Sequence, residues 1–431
     1  MRHLWNLFKI LLSDPFLTLR LLSFSRLYNA YRVLFFQEGN LKQLFLRYSS
    51  IYNINSRKEG KGLYLSDGYL GDIILFPAID WSFRFQRPQH FARELGSRGY
   101  RVVYVSTVPL IARSKLDYVV ENSPFAGVVL VQLSSGSTRI PDFYQQKLTT
   151  GEVKGFIKAT SSMCKALKID NPTIIIQHPF WWPLCSSLQG RKVIYDCIDK
   201  HSGFFEKSNL SLLEAESQLV QYAHEVVVTS DLLAESFCET RSVNVIRNGC
   251  EFLPFFNAFR DRTSERPIIG YVGAVSTWFD GKFLFELARL RPIWQFVIFG
   301  ATVGAEITAA RRLPNVKFLG EIDYENVPTA IANFDVCIIP FKLNSLTLAT
   351  NPVKLYEYLA AGRPVVSTSL PELAGMEDID VFCSNDPTEF VVLTERALYL
   401  SDMPDRIKIR QNWAKTNDWS VRVDELINLI N

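Results

Sequence analysis

The sequence predicts an α/β protein: two Rossmann-like, doubly wound domains facing across a cleft, with a helical extension at the N-terminus. Three observations predict it. The chain has 431 residues, too many for one ordinary domain and suited to two plus an appendage at roughly 150 residues per domain. From Asp72 onward short β-branched runs alternate with helical patterns, the signature of parallel sheets built from βαβ units. A polar, turn-forming stretch from Pro254 to Pro267 interrupts the alternation, which then restarts. Composition agrees: 48% hydrophobic and 21% charged residues argue against wholesale disorder and against a polytopic membrane protein.

The elements follow in order. Residues 1–60 form an amphipathic extension in which Leu, Phe, Tyr and Trp are interleaved with Lys9, Arg20, Arg26, Arg32, Lys42 and Arg47. Lys9, Asp14 and Arg20 interrupt any window near the ~20 apolar residues of a bilayer span, and no small-residue cleavage site follows Leu4–Leu12. The segment reads either as helices covering the domain behind it or as an interfacial helix on an anionic membrane face. A first domain, 61–258, carries near-continuously apolar strand candidates at Asp72–Pro77, Arg101–Ser106, Val128–Leu133, Thr173–Gln177, Lys192–Asp196 and Glu225–Thr229. Helical spacing marks Pro88–Arg98, Gly151–Leu167, Leu210–Ala223 and Leu232–Glu239 between them. A second domain, 259–410, repeats the pattern with strands Pro267–Val272, Gln295–Phe299, Val316–Leu319, Asp335–Pro340, Pro364–Thr368 and Asp380–Cys383. Its helices are Gly281–Leu290, Gly304–Arg312, Glu325–Asn333, Pro352–Ala361 and Thr388–Leu400. Trp413 and Trp419-Ser420-Val421-Arg422-Val423 introduce an amphipathic last helix within 411–431.

Charge and cysteine usage narrow the chemistry. A net charge of +3 is too small to make nucleic acid the main partner. The seven cysteines are scattered and never in C-x-x-C spacing, so neither a disulfide framework nor a zinc site is suggested and a reducing cytoplasm fits. Two open α/β sheets place ligands at the carboxyl ends of their strands, so the cleft is the expected site. No G-x-G-x-x-G follows a predicted strand, which disfavours a dehydrogenase.

The most informative segment runs from Asn351 to Val366. Asn351 reads as an N-cap, Pro352 as the first helical residue, and Gly362 with Pro364 as the stop. A helix start in the cleft offers free N–H groups and a positive dipole end, which favour a phosphate. Lys354 sits in that first turn, either as the partner of an anion or as a solvated lysine. Glu357, three residues on, shares its face; it is placed to accept from two ribose hydroxyls or simply to pair with Lys354.

This segment, with Asn333-Phe334-Asp335-Val336 and Ile339-Pro340-Phe341 before it, resembles the donor-binding segment of family 4 glycosyltransferases of the GT-B fold. The resemblance extends to Arg87-Pro88-Gln89, Tyr195-Asp196-Cys197-Ile198-Asp199, Arg247-Asn248-Gly249, Gly270-Tyr271-Val272-Gly273-Ala274 and Leu313-Pro314-Asn315-Val316-Lys317-Phe318-Leu319-Gly320. These are similar to members that build bacterial capsules, teichuronic-type polymers and exopolysaccharides, over roughly residues 70–430. It implies a retaining transfer from a nucleotide-diphosphate sugar to a glycan or lipid-linked acceptor, with Glu357 on the donor ribose and Lys354, the helix start and the Gly273 loop amides at the diphosphate. No cofactor or metal is expected, since that arrangement supplies the positive charge a departing diphosphate needs.

Two departures from the family pattern stand out. Ala349 occupies the place of a second glutamate, and the loop Ala274–Lys282 lacks the usual Arg/Lys pair, leaving Trp278 or Asp280 to stand in. Asp378-Ile379-Asp380, a metal-type spacing on other folds, reads as incidental. In the first domain Asp80, Arg84, Arg87 and Gln89 surround the end of the first strand, where an acceptor would dock, although Arg87 equally suits local pairing. His178, Asp196 and Asp199 end later strands and are candidates for a base or a sugar-hydroxyl ligand, against structural roles for the first two. Trp181 and Trp182 read as packing more readily than as a sugar platform. The implied last helix crosses back onto the first domain. Two other functions share the fold: a nucleotide-sugar epimerase, and an inactive homologue serving as partner in a glycan-assembly complex. A cytoplasmic protein with peripheral contact to the inner membrane face through residues 1–60 completes the expectation.

Overall fold

The computed structural model describes residues 68–110, 116–139, 143, 147–188, 192–204, 210–261 and 265–431. The amphipathic extension lies outside these residues, as do Arg262, Thr263 and Ser264 of the expected break. Among the described residues no helix is long and apolar enough to cross a membrane.

The first sheet contains β1 (Asp72–Phe76), β2 (Arg101–Val105), β3 (Tyr118–Asn122), β4 (Val128–Leu133), β5 (Thr173–Ile176), β6 (Val193–Cys197), β7 (Glu225–Val228) and β8 (Asn244–Val245). Their spatial order is β3-β4-β2-β1-β5-β6-β7-β8. All neighbours are parallel except β3, which runs antiparallel on β4. Ile74, Val103, Ile176 and Val228 face one core with Phe156, Met163 and Trp181. Ile73, Val102, Ile175 and Val227 face the other with Phe91 and Leu95. Coverage of both faces is why these strands read as unbroken apolar runs.

The second sheet contains β9 (Ile268–Val272), β10 (Gln295–Phe299), β11 (Val316–Gly320), β12 (Val336–Ile339), β13 (Val365–Ser367) and β14 (Val381–Cys383), in the order β11-β10-β9-β12-β13-β14. Winding reverses between β1 and β5 in one sheet and between β9 and β12 in the other. In doubly wound sheets such reversals open a crevice at the strands' carboxyl ends, so the loops after β1, β9 and β12 converge on one cleft.

Several expected elements change. The helix expected over Gly304–Arg312 shrinks to Thr308–Arg311, because Gly304 takes φ +73° and Val303 N donates instead to the Val275 carbonyl (2.9 Å). Phe252–Ala258, which runs into the expected polar break, is a helix whose Phe252 and Phe255 join the second-domain core. A further helix, Pro404–Lys415, carries the ion pairs of Arg406 and Arg410 with buried Asp380, the latter at 2.5 Å. Trp419–Ile430 inserts Trp419, Val423 and Leu426 into the first-domain core. Just before it, the chain runs beside the Arg247–Cys250 segment: Trp419 N donates to the Cys250 carbonyl (3.0 Å) and Cys250 N to the Asn417 carbonyl (3.3 Å).

Candidate functional site

The helix Val353–Ala360 follows the loop after β12, so its start faces the cleft. Its cap is Pro352, at φ −77° and ψ 116°, with no side-chain capping bond. The expected cap, Asn351, is drawn away by stronger tertiary partners. Its Oδ1 accepts from Asn248 N (2.9 Å) and the Tyr356 hydroxyl (3.0 Å), and its Nδ2 donates to Glu372 (2.8 Å). Asn351 and Pro352 thus shape the helix start from behind and seam it to the first domain.

Lys354 lies over the Gly273 backbone: a Cβ added at Gly273 would sit 2.0 Å from its Cε and 2.7 Å from its Nζ. Its ammonium is 5.5 Å from the centroid of Tyr271 and 5.6 Å from that of Phe341, ring faces that attract a cation. Glu357 is 8% exposed. Burial pushes Lys354 down and Glu357 up, each partly held back by the other's charge; Arg84 lowers Lys354 further and Asp199 opposes that. Among the described residues neither side chain takes a hydrogen-bond or ion-pair partner. Two ionisable groups held this way in a cleft resemble ligand-binding groups more than a structural pair.

Asp199 follows β6 on the opposite wall, where burial raises its carboxyl to about 7 against the charges of Lys354 and Arg87. The structure therefore brings Lys354, Glu357, Gly273 and Asp199 together. Trp278, part-buried in the loop after β9, stands perpendicular to Phe204 of the first domain, 6.5 Å between ring centroids.

Other expected residues have different employment. Asp280 caps the helix Gly281–Leu290, its Oδ1 accepting from Lys282 N (3.1 Å) and Phe283 N (2.9 Å). Arg87 is 3% exposed and paired with fully buried Asp196 at 2.8 Å, so it takes the local pairing open to it. Gln89 braces the preceding loop, its amide donating to the carbonyls of Asp80 (3.2 Å) and Arg84 (2.7 Å). Asp80 accepts from Ser82 (2.8 Å) and Ser106 (2.6 Å). His178 is wholly buried, accepts from Phe180 N (3.1 Å) through Nδ1 and meets His201 edge-on at 4.6 Å; burial holds it well below the usual imidazole range. It caps the turn Pro179–Trp181 that follows β5. Trp181 donates to the Pro77 carbonyl (2.9 Å) within the core, and Trp182 to Gln218 (2.7 Å).

Asp378 and Asp380 diverge, Asp378 exposed and Asp380 committed to Arg406 and Arg410. The described residues that could gather on a cation are Cys197, His201 and Glu216, with ligand atoms within 4.8 Å of one another. There the Tyr195 hydroxyl donates to Glu216 (2.5 Å) and the Cys197 thiol to the Asp199 carbonyl (3.4 Å).

The contacts that join the two walls escaped sequence reasoning. Arg247, paired with Asp231 on its own wall (2.6 Å), reaches across to Glu372 (2.9 Å), Ser230 donates to the Ala349 carbonyl (2.6 Å), and Arg84 reaches Glu321 (2.7 Å). Ala349 itself is 1% exposed and packs with the first-domain core. The polar turn at Arg247-Asn248-Gly249 was the one available signal; Glu321 and Glu372 lie in unremarkable loops.

Comparison with known proteins agrees with this layout. Residues 266–398 match the family described as glycosyl transferases group 1. The chain is 31% identical over 266 residues to a Bacillus subtilis protein named as a teichuronic acid biosynthesis glycosyltransferase, TuaH, covering 56% of this chain and 67% of that one. Sucrose-phosphate synthase from Thermosynechococcus elongatus superposes with a TM-score of 0.65 at 17% identity, over 84% of this chain and 98% of that one. The catalytic domain of starch synthase IV from Arabidopsis thaliana, bound to ADP and acarbose, gives 0.57 at 11% identity over 84% and 99%. At such identities these two structures speak for the fold alone. With the fold, the cleft and the sequence relationship in agreement, the chain belongs to the group 1 glycosyltransferases, nucleotide-sugar-dependent enzymes, and has the GT-B fold.

Proposed function

We propose that this enzyme moves a sugar from a nucleotide-diphosphate donor, bound on the second domain, to a glycan or lipid-linked glycan acceptor on the first, in polysaccharide biosynthesis. The observation that carries the reading is the Lys354–Glu357 pair: a cation and a hydrogen-bond acceptor, one helical turn apart, both in the cleft and neither taken up by protein. Lys354 and the helix start meet the diphosphate, while Glu357 accepts from the donor ribose. Gly273 keeps the diphosphate path open for Lys354 because any side chain there occupies the same space. Preorganised charge of this kind stabilises the departing diphosphate as its bond to the anomeric carbon breaks, so we assign the chemistry to protein groups without a metal. Transfer with retention is part of the proposal. Asp199, facing Lys354 and titrating near neutrality, is positioned beside the reacting sugar.

Calorimetric titration of UDP, GDP, CDP and dTDP into the wild type and Lys354→Ala tests the donor site. One nucleotide binding to the wild type and lost in the variant is the expected result. Absence of binding by all four, with no turnover of any nucleotide sugar, moves the assignment to the inactive-partner alternative that Ala349 suggests. Turnover of donor without acceptor moves it to an epimerase.

A further inference from the structure

A nucleoside diphosphate brings at least two negative charges to the cleft, and Lys354 answers one of them. The loop after β9, from Ala274 to Lys282, contains one cation, and it points elsewhere: Lys282 is 83% exposed and pairs with Glu306 at 3.3 Å. The cation that acts electrostatically on Lys354 comes instead from the other domain. Arg84 sits in the loop after β1, its carbonyl pinned by the Gln89 amide at 2.7 Å. From there its side chain crosses the cleft to Glu321, just beyond β11, with Nε 2.7 Å from Oε1. Sequence alone placed this arginine among groups for an acceptor; its direction in the fold is toward the donor side.

We propose that Arg84 is the second diphosphate-binding cation of the donor site, contributed by the first domain and parked on Glu321 when no nucleotide is bound. This rests on the donor reading above. The exchange is favourable on physical grounds. The Arg84 and Glu321 side chains are 24% and 36% exposed, and ion pairs at such exposure are weak because solvent screens them. A guanidinium fork on phosphate oxygens makes shorter, charge-assisted and often bidentate bonds. Because the pinned loop belongs to the first domain and Lys354 to the second, a diphosphate held by both bridges the two walls, whereas a monophosphate engages only the nearer one.

The test is titration calorimetry on the full chain with the nucleotide selected from UDP, GDP, CDP and dTDP, using its mono- and diphosphate forms. Arg84→Ala is expected to weaken diphosphate binding about tenfold or more while changing monophosphate binding less than about threefold, with Arg84→Lys in between. Glu321→Gln is expected to bind the diphosphate as tightly as the wild type or tighter. Melting curves of the variants should overlay the wild type, since Arg84 and Glu321 are partly exposed. If Arg84→Ala binds the diphosphate as the wild type does while Lys354→Ala loses it, the donor site stands and this proposal is overturned. Equal loss of mono- and diphosphate, or an effect confined to the acceptor KM, also overturns it. No binding of any of the four diphosphates to the wild type removes the donor reading and this inference with it.

Discussion

Replacing Arg87 by alanine separates a structural from a substrate-binding arginine. Its Nη2 lies 2.8 Å from Asp196 Oδ1, its Nε 3.1 Å from Oδ2 and its Nη1 3.1 Å from the Arg247 carbonyl. The guanidinium also stacks 4.2 Å above Phe91. After truncation, fully buried Asp196 keeps only the Gln177 amide at 2.8 Å among the described residues. Removing one partner of a buried ion pair costs about 3–5 kcal/mol because the surviving charge stays desolvated. At about 2 °C per kcal/mol for a domain of this size, Tm falls by roughly 6–10 °C. The assay is thermal melting of Arg87→Ala, Asp196→Asn and the double variant. Asp196→Asn added to Arg87→Ala should recover a large part of the loss, since an amide costs less to bury than an unpaired carboxylate. A Tm within about 2 °C of the wild type, together with a raised acceptor KM, would refute the reasoning and return Arg87 to the substrate.

The remaining predictions concern the cleft. Lys354→Ala and Glu357→Ala each lower donor-dependent kcat/KM by about two orders of magnitude or more while circular dichroism and melting stay near the wild type. Gly273→Ala sets its methyl against the flexible end of Lys354 and strains a backbone held at φ +150°, so its Tm should fall modestly; nucleotide titration should show it losing diphosphate affinity in parallel with Lys354→Ala. For Asp199, the folded carboxyl titrates near 7 and the unfolded one near about 4. The native state therefore binds more protons between those values, and stability falls as pH rises through that window. Asp199→Asn should flatten this fall, matching the wild type near pH 4 and exceeding its Tm at pH 8. Asn351→Ala, which strands the buried Asn248 N–H, should cost about 1–3 kcal/mol in denaturant unfolding.

Apart from β3 and the two-residue β8, the strands of both sheets and the helix after Pro352 were legible because each is an apolar run or a fully punctuated segment. What escaped notice lacks that pattern. β3 is a five-residue antiparallel edge strand, Tyr-Val-Val-Glu-Asn, with a neighbour on one side only. Pro404–Lys415 shows no apolar stripe because the face it buries is Arg410, Gln411 and Ala414, and Arg410 is held by Asp380 and backbone carbonyls, with hydrophobic contact left to Ala414 and Trp413. The donor-side pair was readable from helix position, since spacing of three puts Lys354 and Glu357 on one face. Roles on the first domain were not: Arg87 and Gln89 carry the right chemistry for a site, and only burial and named partners show that the protein uses them as internal braces. Asn351 failed as a cap for a related reason. Local capping competes with tertiary bonds, and Asn248, Tyr356 and Glu372 are better partners than the helix's own N–H groups.

The chain passes between the two domains twice, near Cys250 and near Asp418, and those passages are hydrogen-bonded side by side, with Gly249 so close to Asn417 that an added Cβ would lie 2.6 Å from its carbonyl oxygen. A lone tether between two bodies permits swivel, tilt and twist alike. Two tethers stitched along their length behave as the pin of a door: one rotation stays soft and the others stiffen. The walls carrying Arg84 and Lys354 would then keep one register through any rotation about that pin, and cutting one tether should leave both sheets folded yet scramble the alignment that charge-by-charge recognition of a diphosphate requires.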